Sequence, residues 1–117
     1  MNPAVQNRQM RVFYRDYAND RAVPSSRPEW LPLERIAPMA GQVLIAPDNF
    51  FGVIDQNDVI LQCYLADAPD TVTLELVYPE ATGCLRLRLP IAAALECLTG
   101  LPSVFDESLL RGAQYVD

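Results

Sequence analysis

Two runs of this chain alternate apolar and polar residues with period two, and they limit its folds more than any other feature. They are Thr71-Val-Thr-Leu-Glu-Leu-Val-Tyr78 and Cys84-Leu-Arg-Leu-Arg-Leu89. In an extended chain successive side chains point to opposite faces, so Val72, Leu74, Leu76 and Tyr78, then Leu85, Leu87 and Leu89, share one side of a sheet. Thr71, Thr73, Glu75, Arg86 and Arg88 fall on the other, which reads as the wet side of an antiparallel sheet. The five-residue connection Pro79-Glu-Ala-Thr-Gly83 makes the two strands neighbours.

The pattern extends backwards. Val59 to Leu65 reads as a strand with Val59, Leu61, Cys63 and Leu65 facing the core and Gln62 and Tyr64 facing out. Phe50 to Ile54 precedes it across Asp55-Gln-Asn-Asp58, a connection of turn-forming residues, and Gly52 inside this strand marks a bulge or a close backbone approach. Gly41 to Ala46 has the look of a further short strand. Pro90 to Gly100 reads as a helix with proline at its start, alanines within and glycine beyond its end; Ile91, Ala94, Leu95 and Leu98 line one face. Ser103 to Gly112 predicts a second, short helix, and Ala113 to Asp117 a loose tail.

Prolines at 24, 28, 32 and 38 each fix φ and remove a backbone donor, so residues 10–40 read as an extended arm with at most one helical turn near Leu33 to Ile36. Arg11 to Tyr17 fits either a strand or one face of a short helix; its aromatic and β-branched content favours the strand. Residues 1–9 carry no periodic signal and are expected to fray. The fold class is α+β: an antiparallel meander of four to five strands, a C-terminal helix on one face, and an N-terminal proline-containing arm, in one domain over 1–117.

Composition excludes several chemistries. The chain has no histidine, and all nine basic residues are arginine. Serine or cysteine triads built on histidine, the usual zinc sites, Schiff-base lysine and the phosphate-loop lysine are therefore ruled out within the chain. The spacing of Asp55 and Asp58 lacks the glycine and the closing glutamate of a calcium loop. No cofactor or metal is expected. Cys63, Cys84 and Cys97 are odd in number and widely spaced, which fits free thiols in a reducing, cytosolic compartment. No apolar run is long enough for a membrane span, and the N-terminus lacks a secretory signal.

The net charge of −6 is uneven: residues 1–40 carry six arginines against four carboxylates, whereas 41–117 carry three against eleven. Such a body repels nucleic acid and suits a basic protein partner. The expected function is a small, acidic, non-enzymatic protein-binding or accessory domain, in its sharpest form an inhibitor of a basic toxin; a homodimer is also compatible. The candidate contact residues are the turn aspartates Asp48, Asp55, Asp58, Asp67 and Asp70, with Tyr64 and Trp30. Trp30 reads first as a core anchor beneath a loop and second as an exposed anchor for a partner. The alternative is a small ligand-binding domain or enzyme using carboxylates, or Cys84 if Arg86 and Arg88 depress its thiol pKa.

Overall fold

The computed structural model describes residues 8–117 and is built on one antiparallel sheet, closed over by helices on a single face. The meander expected from the alternating runs is present as β4 (Phe50–Ile54), β5 (Ile60–Leu65), β6 (Thr71–Val77) and β7 (Cys84–Pro90), paired in sequence order. The register sets Leu61 beside Leu76, Cys63 beside Leu74 and Leu74 beside Leu87, so the apolar members of each run meet on one face. Val53, Leu61, Cys63, Val72, Leu74 and Leu76 are fully buried there.

The N-terminal third departs from the expected arm. Gln9–Asp16 forms β1, which pairs with β4 along one edge and, along the other, with β2 (Arg21–Val23) and β3 (Glu29–Pro32). The sheet thus has eight strands, not four or five. Residues 8 and 9, expected to fray, are tied in: the Leu33 N–H donates to the Arg8 carbonyl at 3.0 Å, and Gln9 pairs with Pro32. The rest of the expected frayed end, residues 1–7, lies outside the described residues.

Leu33–Val43 is an eleven-residue helix, α1, running through Pro38. It replaces the expected single turn and the first half of the strand expected at 41–46, and residues 44–46 are a turn. Ile36, Ala40 and Val43 recur at helical spacing and are buried, and their packing offsets the bond lost at Pro38, whose ring sits on the exposed side.

Ile91–Cys97 forms α2, with Pro90 at its N-cap and Gly100 beyond its end at φ +70°, where a side chain would be strained. The expected helix from Ser103 shrinks to a 3-10 turn at Glu107–Leu110, capped by Asp106, whose carboxylate accepts the Ser108 N–H at 2.9 Å. The expected loose tail is strand β8 (Gln114–Val116), paired with Cys84 to Arg86 of β7. Gly83 makes room for it: a Cβ there would stand 2.2 Å from the Val116 carbonyl oxygen.

Helix α1 packs on β1, β3 and β4, α2 packs on β6 and β7, and the two helices touch. Phe51, Leu44, Leu98, Leu101, Phe105 and Leu110 fill the space between helices and sheet. No helix among the described residues is long and apolar enough to cross a membrane.

Candidate functional site

Among the described residues, no helix lies on the other face of the sheet. At the end of the sheet where β3 and β1 run beside the β4–β5 turn, a groove of about 490 Å³ is lined by Arg8, Arg11, Trp30, Asp55, Asp58 and Ser103, among others. Trp30 pairs with Arg11, and both project from this open face because their neighbours Met10 and Leu31 are buried on the other. Trp30 is therefore not the core anchor expected from sequence: it is 64% exposed. Leu31, next to it, supplies the anchoring.

The main chain of β3 reinforces this. The Leu33 to Arg8 bond fixes the phase of the antiparallel ladder, so the backbones of Leu31 and Glu29 are directed at β1 and that of Trp30 points to the free edge. Pro28 and Pro32 would share that outward direction but have no N–H to offer. Proline is a common guard against edge-to-edge pairing, and here it leaves Trp30 as a side-chain anchor on an edge that cannot extend.

One wall of the groove is built by Asp55. It is 1% exposed, and its carboxylate accepts three backbone N–H groups: Asn57 at 2.8 Å and Val59 at 2.9 Å close the β4–β5 turn, and Phe105 at 2.7 Å pins the C-terminal segment. Arg8 donates to the Leu101 carbonyl and to Ser103 Oγ, holding the same segment from the other side. Arg11 donates to the Asp55 carbonyl and, at 3.0 Å, to the Asp58 carboxylate. Asp58 sits at φ 65°, a conformation that aspartate tolerates through its own side-chain bonding.

The remaining sequence candidates go elsewhere. Asp48, Asp67 and Asp70 are all exposed at the opposite end of the sheet, with Asp70 at φ 53°. Trp30 is thus brought together with Asp55 and Asp58, and not with the other three aspartates. Tyr64 lies mid-sheet on the open face, where its hydroxyl donates to Glu75 at 2.9 Å.

That bond belongs to a cross-strand network. Gln62 donates to Glu75 at 2.8 Å, and Arg86 meets the same carboxylate through Nε at 2.7 Å and Nη2 at 2.6 Å. The open face is therefore drier than the alternating pattern implies, with Glu75 6% and Thr73 2% exposed beneath their neighbours. Burial pushes the Glu75 carboxyl up, but the bonds from Gln62, Arg86 and Tyr64 outweigh it and hold it below its ordinary value. With all these bonds made, Glu75 is a satisfied structural charge. Cys84 does not become the activated thiol weighed from sequence. Burial pushes its pKa up, Glu75 adds to that, and Arg86 only partly opposes it because Glu75 already holds that guanidinium.

Sequence reasoning missed Arg8, Arg11 and Ser103. Arg11 carried a signal, since it alternates with the apolar Met10 and Val12; Arg8 and Ser103 carried none, being 95 residues apart. Among the described residues, no group of three or more cysteine, aspartate or glutamate side chains is placed to hold a metal ion. No protein-family model, curated protein or solved structure matches the chain significantly.

Proposed function

We propose that this chain is a non-enzymatic protein-binding domain of accessory or inhibitor type, engaging its partner through the open sheet face at Trp30. The observation that carries the reading is the position of the only tryptophan, 64% exposed beside the groove. A tryptophan can bury roughly 150–250 Å², and interface energy concentrates on such residues when a pocket lies next to them. The groove walls suit a protein surface: guanidinium and carboxylate groups already paired within the chain form a polar rim around the indole. The net charge of −6 favours a basic partner, drawn in by long-range attraction.

The test uses the indole itself. Because Trp30 is the only tryptophan, its fluorescence reports on the groove directly when a copurifying protein is titrated in. The expected result is a shift of emission on binding, a loss of roughly tenfold or more in affinity for Trp30→Ala, and an association rate that falls as salt rises. Unchanged emission together with full affinity of Trp30→Ala would overturn the assignment. A copurifying small molecule, with a turnover lost on Asp→Asn substitution, would replace it with an enzyme.

A further inference from the structure

On the helical side of the molecule, away from Trp30, α1 and α2 leave between them a trough of about 540 Å³. Its apolar surface comes from Leu33 and Ala37 of α1 and Leu95 of α2, and Glu34 and Glu96 stand on it as well, both exposed. Among the described residues, no basic side chain lines the trough and neither glutamate is in an ion pair.

Two features of the main chain add to the negative potential. Pro38, itself in the lining, lacks the N–H that would bond the Glu34 carbonyl, so that carbonyl is left without its helical donor. The C-terminal end of α2 opens on the trough at Thr99 and Gly100; its last turn has no basic residue, and its Leu95 and Glu96 carbonyls accept, among the described residues, only the local donors of Leu98 and Thr99, so the negative end of the helix dipole faces the trough. An apolar floor, two carboxylates in no ion pair among the described residues, and the freed Glu34 carbonyl together describe a site for an amphipathic cation.

We propose that this trough docks a cationic amphipathic segment of a protein partner, with apolar side chains seated against Ala37 and Leu95 and arginine or lysine against Glu34 and Glu96. The proposal rests on the protein-binding reading above and adds a second contact to it. A second copy of this chain fits poorly, because trough-to-trough contact would bring four unpaired carboxylates together.

Two synthetic helical peptides of equal length, about four turns, test it: one of leucine and lysine, the other with every lysine replaced by glutamate. Each is titrated into nitrogen-15-labelled protein at low ionic strength while amide shifts are followed. The leucine–lysine peptide is expected to perturb the amides of residues 33–37 and 92–100. The Glu34→Gln/Glu96→Gln variant should weaken it by roughly five- to tenfold, and raised salt should weaken it also. Equal binding of the two peptides, perturbation centred elsewhere, or full affinity of the double variant would each overturn the proposal, as would shifts in these amides on concentrating the protein alone. Trp30→Ala should leave peptide binding unchanged. Failure at the trough is thereby separated from failure of the Trp30 assignment, which is judged by the copurifying protein.

Discussion

Asp55 makes the sharpest test of how the groove is built. Substituting Asp55→Ala removes three acceptor bonds at once, from the N–H groups of Asn57, Val59 and Phe105. Asn57 is exposed and its N–H can turn to water, but Val59 and Phe105 are 6% and 2% exposed and their donors would be orphaned. A buried unpaired donor costs about 1–3 kcal/mol, so the expected loss is roughly 3–5 kcal/mol, a large share of the ~5–15 kcal/mol that stabilises a typical domain. Asp58→Asn is the matching control in the same turn. Asparagine tolerates the positive φ, and the bond given up is an ion pair to Arg11 whose acidic partner is 72% exposed, so the cost should stay below about 1 kcal/mol. Urea unfolding, with the slope checked for constancy, measures both. Asp55→Asn should fall between them: it keeps one oxygen for the turn but presents an amide to Phe105, so hydrogen exchange should accelerate first in residues 101–110. A loss under 1 kcal/mol for Asp55→Ala would refute the latch, and with it the account of the groove wall.

Gly52→Ala would place a Cβ 2.1 Å from Phe13 Cζ, so the ring must leave the strand it covers; the expected loss is roughly 1–3 kcal/mol by thermal or urea unfolding, and Phe13→Ala/Gly52→Ala should lose less than the two single losses combined. Because the folded Glu75 carboxyl lies below its ordinary value of 4.5, its stabilisation is complete above that pH and is lost as pH falls through the lower folded value; Glu75→Gln should therefore flatten the acid side of the stability profile, and an unchanged profile would remove Glu75 as the cause. Cys63, fully buried with its thiol pushed up to about 12, should resist alkylation until the chain unfolds, whereas the half-buried Cys84 and Cys97 react earlier; mass-mapped labelling against time decides the order.

The legible part of the fold is the part where apolar residues recur on one face and polar residues on the other. In β6 and β7 apolar and polar residues alternate, and a slip of one residue would turn Leu74 and Leu87 outward, so pattern and register are the same information. The N-terminal third is not legible in the same way, because proline counts against regular structure only when its nitrogen faces a ladder or helix partner. Pro32 ends β3 with its nitrogen toward a free edge, where no ladder bond is lost, and Pro38 lies on the exposed side of α1. Strand β8 is too short for any period to show. In the site, Asp55 was recognisable as a turn residue, but not its reach to Phe105, 50 residues away. Nothing local to Trp30 distinguishes an exposed indole from a buried one; that follows from the pairing of β3 with β1, and β3 is a four-residue strand preceded by Pro28 and ended by Pro32, too short for a period to show.

The distribution of those prolines bears on how this protein can meet another. The bond from the Ile91 N–H to the Asp70 carbonyl fixes the phase of β7, so beyond β8 the backbone of Arg88 points to the open edge. The next outward position is Pro90, which has no N–H. On β3 the outward positions beside Trp30 are likewise Pro28 and Pro32. Each of these edges therefore offers one complete residue between or before prolines, too little for a partner strand to be held through its main chain. Association at these two edges must then rest on side chains. On the open face the large, exposed and conformationally simple side chain next to a groove is Trp30, while Tyr64, the other aromatic proposed from sequence, is committed to Glu75. If partner affinity proves insensitive to Trp30→Ala but collapses when Arg88 is replaced by proline, the edge of β7 is the contact after all, and the guarding role assigned to Pro90 is wrong.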